Sequence, residues 1–262
     1  MTKTDRLDSE KITANLKTKR VGTKILVYSS TTSTNDISAE YAKNKENNGL
    51  AIFTEEQTAG RGRFGEKWLT SRADSIICSV LLTEIKCSAE LLSLACAVAT
   101  AEAIDKCGQS KAKIKWPNDI ILSGKKVAGI LLESKQNDSH ISYILGIGIN
   151  CHQKKDSFPA ELQTTATSVD IESRSFTDRI SLAKRLLTSI DYWLAAAEKN
   201  SKKVIKHWSK LSILLGCHIT VVFNEKSFTG NCIGIDPQKG LILQLETGGI
   251  RMFDAAHTTI AK

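Results

Sequence analysis

No run in the 262-residue chain approaches the roughly 20 consecutive apolar residues that a bilayer-crossing helix needs. Residues 95–103 are apolar, but Glu102 interrupts them. The N-terminus, Met-Thr-Lys-Thr-Asp, lacks the hydrophobic core of a secretory signal. None of the seven cysteines forms a Cys-x-x-Cys pair, which argues against zinc and dithiol chemistry; no resident metal is assigned. Reduced thiols and no signal imply a cytoplasmic protein with no membrane partner. The five histidines, His140, His152, His207, His218 and His257, are scattered and read as structural or surface residues. No Ser/His/Asp set supplies an enzyme nucleophile. Repeats and low-complexity segments are also missing.

The chain carries a net charge of +8, and basic chains often bind nucleic acid. Half of the excess sits in residues 1–24, where seven basic side chains face three acidic ones. A winged helix-turn-helix needs about three helices. The stretch before Lys24 has room for one short helix at most. The head is expected to be a frayed basic extension, without sequence-specific DNA binding.

Apolar patterning predicts strands over residues 25–28, 50–55, 75–82, 112–116, 120–122, 127–133 and 141–149. Ser33, Thr34, Asn35 and Asp36 supply N-cap residues for a helix to about Lys45. Leu91, Leu94, Ala95, Val98, Ala101 and Ile104 follow helical spacing, ending at Gly108. Most of the sheet is hairpin-connected, hence antiparallel or mixed. Residues 151–176 are polar and weakly patterned. Helices are expected from Thr177-Asp178 to about Leu194 and over 204–211. After Gly216 come short strands over 219–223, 228–235, 241–245 and 250–253, which fits a small SH3-like β-barrel. The fold class is therefore α+β, with an extension (1–23), a main domain (24–212) and a C-terminal β domain (213–262).

Two segments carry the chemistry. In residues 57–68, Gln57-Thr58-Ala59-Gly60-Arg61-Gly62-Arg63-Phe64-Gly65-Glu66-Lys67-Trp68, three glycines alternate with two arginines. Glycine lets backbone N–H groups approach a ligand, and successive N–H groups form an anion-binding concavity. Two guanidiniums add forked positive charge. The loop suits a carboxylate next to a phosphate. The second segment is Lys115-Trp116-Pro117-Asn118-Asp119, followed by Lys126-Val127-Ala128-Gly129-Ile130. Pro117 marks a strand end, and Ser123-Gly124 is a hairpin signal. The hairpin brings Lys115, Asn118, Asp119 and Lys126 to one end of two strands.

These segments, with Ser33-Thr34-Asn35 upstream and Gly146-Ile147-Gly148-Ile149-Asn150 downstream, resemble the biotin protein ligase family from about Lys24 to the C-terminus. The resemblance implies a class II synthetase-like catalytic fold with a C-terminal barrel. It also implies two half-reactions. Biotin's carboxylate attacks the α-phosphate of ATP, with Mg2+, to give biotinyl-5′-AMP. A lysine of a biotin carboxyl carrier protein domain, of acetyl-CoA carboxylase type, then takes the acyl group. By the same resemblance, Arg63 contacts the linked carboxylate and phosphate, while Arg61, Gly60 and Gly62 close the loop over biotin. Ser33, Thr34, Asn35 and Gln57 bind the ureido end, and Gly129 and Gly146 leave room for the bicyclic ring. Lys126 pairs with carboxylate or phosphate, Lys115 neutralises phosphate, and Asn118 and Asn150 face the nucleotide. Three roles stay open for Asp119: orienting a lysine, binding through Mg2+, or helping to deprotonate the amine. Trp68 and Trp116 read as packing residues.

Glu66 departs from the family, which usually has a basic residue there. Either Lys67 compensates or Glu66 pairs with an arginine in the empty state. The segment Phe253-Asp254-Ala255-Ala256-His257 departs from an expected Gly-Glu. The rivals are a lipoate–protein ligase, whose Arg-Arg and triple-glycine pattern is absent, a biotin-sensing regulator, and a catalytically dead biotin-binding protein. Exposed strand edges make a homodimer a further expectation.

Overall fold

The computed structural model describes residues 5–108, 111–137 and 140–261. Seven strands are β1 (Ile25–Tyr28), β2 (Ala51–Thr54), β3 (Ser75–Leu82), β4 (Lys113–Lys115), β5 (Asp119–Leu122), β6 (Lys125–Asn137) and β7 (His140–Asn150). They form one sheet in the order β1-β2-β3-β7-β6-β5-β4. The β1–β2 pair is parallel and the others are antiparallel, so the sheet is mixed.

Side chains alternate across a strand, so one register decides two faces at once. On one face Cys78, Val80, Ala128, Ile130, Leu145, Ile147 and Ile149 join the main core. Three helices cover that face: α3 (Ala89–Asp105), α5 (Arg179–Lys199) and α6 (Ser201–Leu211). Twelve of the 17 residues of α3 are buried. It is rich in alanine, so neighbours approach it from all round. On the opposite face, α2 (Thr34–Tyr41) packs on Leu50, Ile52, Leu81 and Ile144. Its N-cap is Ser33, whose hydroxyl accepts from Asn35 N at 3.3 Å. This helix ends at Tyr41, short of the expected Lys45.

The C-terminal strands are β8 (His218–Phe223), β9 (Lys226–Asp236), β10 (Gly240–Leu245), β11 (Ile250–Phe253) and the unexpected β12 (Thr258–Ile260). They pair antiparallel in the order β11-β10-β9-β8-β12. These five strands are the expected second, antiparallel β unit, and among the described residues no ladder closes it between β11 and β12. The chain turns away after β11 at Asp254, whose carboxylate accepts from His257 N at 3.0 Å. Residues 258–260 then pair with β8 instead.

Residues 5–23 of the head are packed rather than frayed. Residues 1–4 lie outside the described residues, but Leu7, Ile12 and Val21 are in the main core, and α1 (Ser9–Thr13) packs on α5. Its anchor is Arg179, with a fully buried side chain. Arg179 pairs with Asp5 and Glu55, each at 2.8 Å, and donates to Ser75 O at 3.0 Å. Burial opposes the guanidinium charge, and the bonds from Glu55 and Asp5 overcome it, holding its pKa above the usual value. Sequence patterning missed this anchor because a buried arginine on an amphipathic helix looks like any solvated one.

His152 extends the network, 2.7 Å from Asp170 of the short helix α4 (Val169–Ser173) and 3.4 Å from Asp5, stacked on Phe176. Burial lowers its pKa, but Asp5 and Asp170 more than reverse that and raise it above 6.5. The imidazolium therefore stabilises the fold below pH 6.5, and this contribution is lost as pH rises through the raised folded-state value. Denaturant titrations at pH 6 and pH 8 should show wild type exceeding His152→Gln by a larger margin at pH 6. Arg179→Met leaves two carboxylates near an uncompensated site, and should cost about 3 kcal/mol or more in urea unfolding at neutral pH.

Candidate active site

Glycines open a trough in the sheet face opposite the main core. Gly129 is the register partner of Gly148, and Gly146 lies opposite both Leu131 and Ser79. The same alternation that points Ile147 and Ile149 into the core points Gly146 and Gly148 the other way. A Cβ on Gly146 would come within 2.5 Å of Asn35 Oδ1, and one on Gly148 would overlap the indole of Trp68. A Cβ on Gly129 would sit 3.1 Å from the same ring. Trp68 packs, as expected, but it packs into the trough. Trp116 is 1% exposed in the core.

One end of the trough is polar. Ser79 Oγ donates within 2.5 Å of Asn35 Oδ1 and lies 2.6 Å from Thr34 Oγ1. Gln57 Oε1 accepts from Thr34 N at 2.8 Å. Asn35 Nδ2 donates to Glu133 Oε2 at 2.6 Å. Ser33, Thr34 and Asn35 are all buried. Sequence reasoning named these residues and Gln57, but it missed Ser79 and Glu133. Both sit on trough-facing positions of β3 and β6, visible only once the strands are in register.

The 57–68 loop folds back on itself. Gly62 N donates to Glu66 O at 2.6 Å, and Trp68 N donates to Gly60 O at 3.0 Å. At its tip Phe64 is 60% exposed with φ +52°. A bulky residue held in the left-handed region is the kind of strain that collects at functional loops. Arg61 reaches Asp36 at 2.7 Å and Glu133 at 3.1 Å, fastening the loop to α2 and β6. Arg63 donates to the carbonyls of Ala255 and Thr258, the latter at 3.0 Å, and to Asn118 Oδ1 at 3.4 Å. Burial depresses the Arg63 pKa, while Asp119, Glu90 and Asp254 act to raise it. Neither arginine pairs with Glu66, which has no ion pair among the described residues. The expected empty-state pairing of Glu66 is not formed, because better-placed carboxylates and carbonyls take both guanidiniums.

The hairpin closes the other end. Lys126 Nζ is 2.6 Å from Asp119 Oδ1. Lys115 is the register partner of Asp119 and makes no ion pair among the described residues. The Trp116–Pro117 peptide is cis. Asn118 binds both backbone groups of Ile130, accepting from its N–H at 2.9 Å and donating to its carbonyl at 3.1 Å. Residues 165–167 line up beside Lys126, with Lys126 N donating to Thr165 O and Thr167 N to Lys126 O. Asn150 is buried and donates to Thr167 O at 3.0 Å. Its amide therefore holds the 151–167 loop against the site.

Residues 27–150 match the model of the Biotin/lipoate A/B protein ligase family. The chain is 30% identical over 97% of its length to the bifunctional ligase/repressor BirA of Bacillus spizizenii, and covers 79% of that protein. The chain belongs to the biotin/lipoate A/B protein ligase family. A second family member, the biotin–[acetyl-CoA-carboxylase] ligase of Paracoccus denitrificans, is 31% identical over 75% of this chain and 85% of its own. The solved structure of a biotin protein ligase from Aquifex aeolicus in complex with biotin and ATP superposes with a TM-score of 0.79 at 27% identity. That match covers 92% of this chain and 99% of the Aquifex chain. The α+β fold with its mixed sheet is thus the family's fold.

Trp116, Trp193 and Trp208 are each under 2% exposed, so Trp68 is the one tryptophan that a change in the trough can reach. Gly148→Ala should expel the Trp68 indole and shift the protein's tryptophan emission to the red. Far-ultraviolet circular dichroism should stay that of the wild type.

Proposed function

We propose that this family member joins biotin to a lysine of a biotin carrier protein domain, of the acetyl-CoA carboxylase type, through biotinyl-5′-AMP. The observation that carries the reading is the glycine trough, which runs from a polar pocket at Asn35 to a group of cations at Arg63, Lys115 and Lys126. A flat apolar bicycle with a hydrogen-bonding head and an anionic tail has that pattern of chemistry. The relatives named for biotin ligation, and the Aquifex protein holding biotin and ATP, support the same reading. We assign residues 24–212 to catalysis and 213–262 to a supporting β domain, with 1–23 a docked head.

The first half-reaction brings one anion onto another. Biotin's carboxylate oxygen forms a bond to the α-phosphorus of ATP as the bond to the β-phosphate oxygen breaks, and pyrophosphate leaves. Positioning and charge neutralisation carry most of such a reaction. Arg63 sits where the neutral Asn118 amide, 3.4 Å from its Nη1, can yield to a phosphate without leaving an anion unpaired, while Nη2 keeps its two carbonyls. Asp119 holds the Lys126 ammonium in place, which favours the orienting role among its three. Lys115 is available for phosphate. In the second half-reaction the carrier lysine's neutral Nζ attacks the acyl carbon and AMP departs. Trp68 must move for a ring to enter the trough, so the 57–68 loop both admits and covers the ligand. Covering it keeps water from the mixed anhydride.

Mg2+ enters with ATP in this reading. Among the described residues no three His, Cys, Asp or Glu side chains are grouped for a metal. The ion would then be held chiefly by phosphate oxygens, as is common for Mg2+. No described helix is long and apolar enough to cross a membrane, and all seven cysteines are free, which fits a cytoplasmic setting. The described head contains a single five-residue helix.

Pyrophosphate–ATP exchange tests the reading. Exchange should require biotin, with lipoate and no-acid controls silent; exchange driven by lipoate instead would move the chain to the lipoate branch of the family. Arg63→Gly should release adenylate roughly 10- to 100-fold faster, as expected for a lost charge-assisted contact. An unchanged adenylate lifetime in that variant would remove Arg63 from the site.

A further inference from the structure

The geometry points to Glu90 as a positioning residue for the adenylate, acting through the C-terminal turn that holds Arg63. This inference rests on the ligase reading given above. Glu90 lies in the first turn of α3, behind the N-cap Ser88. Its Oε1 accepts from Ala255 N at 2.7 Å. The carbonyl of the same Ala255 accepts from Arg63 Nη2, as does Thr258 O three residues on. The line Glu90–Ala255–Arg63 therefore joins a core helix, the C-terminal turn and the glycine loop through the backbone of one residue. The second oxygen, Glu90 Oε2, is buried without a hydrogen-bond partner among the described residues. Its charge, with those of Asp119 and Asp254, acts on the guanidinium.

The rest of the turn fits this task. Asp254 Oδ1 accepts from both His257 N and His257 Nδ1, at 3.0 and 2.8 Å, which fixes the shape of residues 254–257. The N-cap of α3 touches the C-terminal sheet a second time, with Ser88 Oγ donating to Pro237 O. The first turn of α3 is thus where the buried core sets the position of the C-terminal unit. Phe253-Asp254-Ala255-Ala256-His257 is the segment that departs from the family's expected Gly-Glu. In this chain a carboxylate reaches that segment from Glu90, on a rigid helix, and meets the turn at its backbone. The half-buried Ala255 N–H takes its acceptor from Glu90, so removing that acceptor frees the turn. Arg63 would then keep its own charge but lose the aim of its two carbonyl supports.

The test uses the full-length chain with biotin and MgATP, reading the lifetime of the bound adenylate in Glu90→Ala, Glu90→Gln and Glu90→Asp. Glutamine keeps an acceptor at the length needed to reach Ala255 N, whereas aspartate keeps the charge but falls one methylene short. The alanine and aspartate variants should release adenylate about 10-fold faster, the factor expected for one lost charge-assisted hydrogen bond, and glutamine should restore most of the lifetime. Thermal midpoints separate this from general loosening, because the aspartate variant should melt close to wild type while its adenylate escapes. If the alanine variant does not fold, the aspartate and glutamine pair decides. Wild-type lifetimes in all variants, or equal losses in aspartate and glutamine, overturn the proposal. A wild-type protein that forms no adenylate from biotin and ATP would instead count against the ligase reading. Faster release from Arg63→Ala with unchanged release from every Glu90 variant would leave that reading standing and reject only the role of Glu90.

Discussion

Strands β6 and β7 must be crowded on one face and empty on the other, and this constraint organises the molecule. Ala128, Ile130, Leu145, Ile147 and Ile149 build the core on one side. Gly129, Gly146 and Gly148 leave the trough on the other. A slip of one residue in register would exchange the two sets and destroy both core and site. The broad helical layer of α3, α5 and α6 fixes which side is core. That leaves α2 and the glycine loop to form the walls of the trough. The site is therefore a by-product of the register that makes the core, which is why it sits on rigid strands rather than on loops alone.

Charge at the site is arranged so that cations wait among the chain's own acceptors. Arg61 is held by carboxylates, Lys126 by Asp119, and Arg63 mainly by neutral carbonyls. Carboxylate partners favour a structural posting, because displacing them leaves an anion to be re-satisfied. Neutral partners favour exchange for a stronger anionic acceptor. The difference singles out Arg63 as the guanidinium best placed to change partners, and it links that event to the C-terminal turn. The buried Arg179 network has the opposite character. Fully enclosed and paired to Asp5 and Glu55, it fixes the head and the start of α5. Through His152 and Asp170 it also reaches the loop that lies beside Lys126.

Much was legible in the residue order. Period-2 and period-3.6 patterning found β1, β3, β7, β8 and the long helices to within a few residues, because each buries a regular apolar stripe. The glycine–arginine loop and the Lys115–Asp119 segment were legible because their residue types have few other uses in such density. The last strand of the C-terminal sheet was not, since β12 is three residues long and its pairing with β8 depends on where the Asp254 turn aims the chain. The docked head was missed for a similar reason. Its few apolar residues, Leu7, Ile12 and Val21, are too sparse to show a period, yet each finds a place in a core built by distant strands.

By itself the sequence determined the family, the α+β class, and which residue types could neutralise a carboxylate beside a phosphate. These are local properties: turn chemistry, alternation and charge are written within a few positions of each other. Only the tertiary structure decided which charges meet. Glu133 with Arg61, Glu90 with the Ala255 turn, and Asp5 with Arg179 are separated by 72, 165 and 174 positions. No periodicity links residues so far apart. Their meeting is set by strand register and helix packing, which the whole chain must settle together.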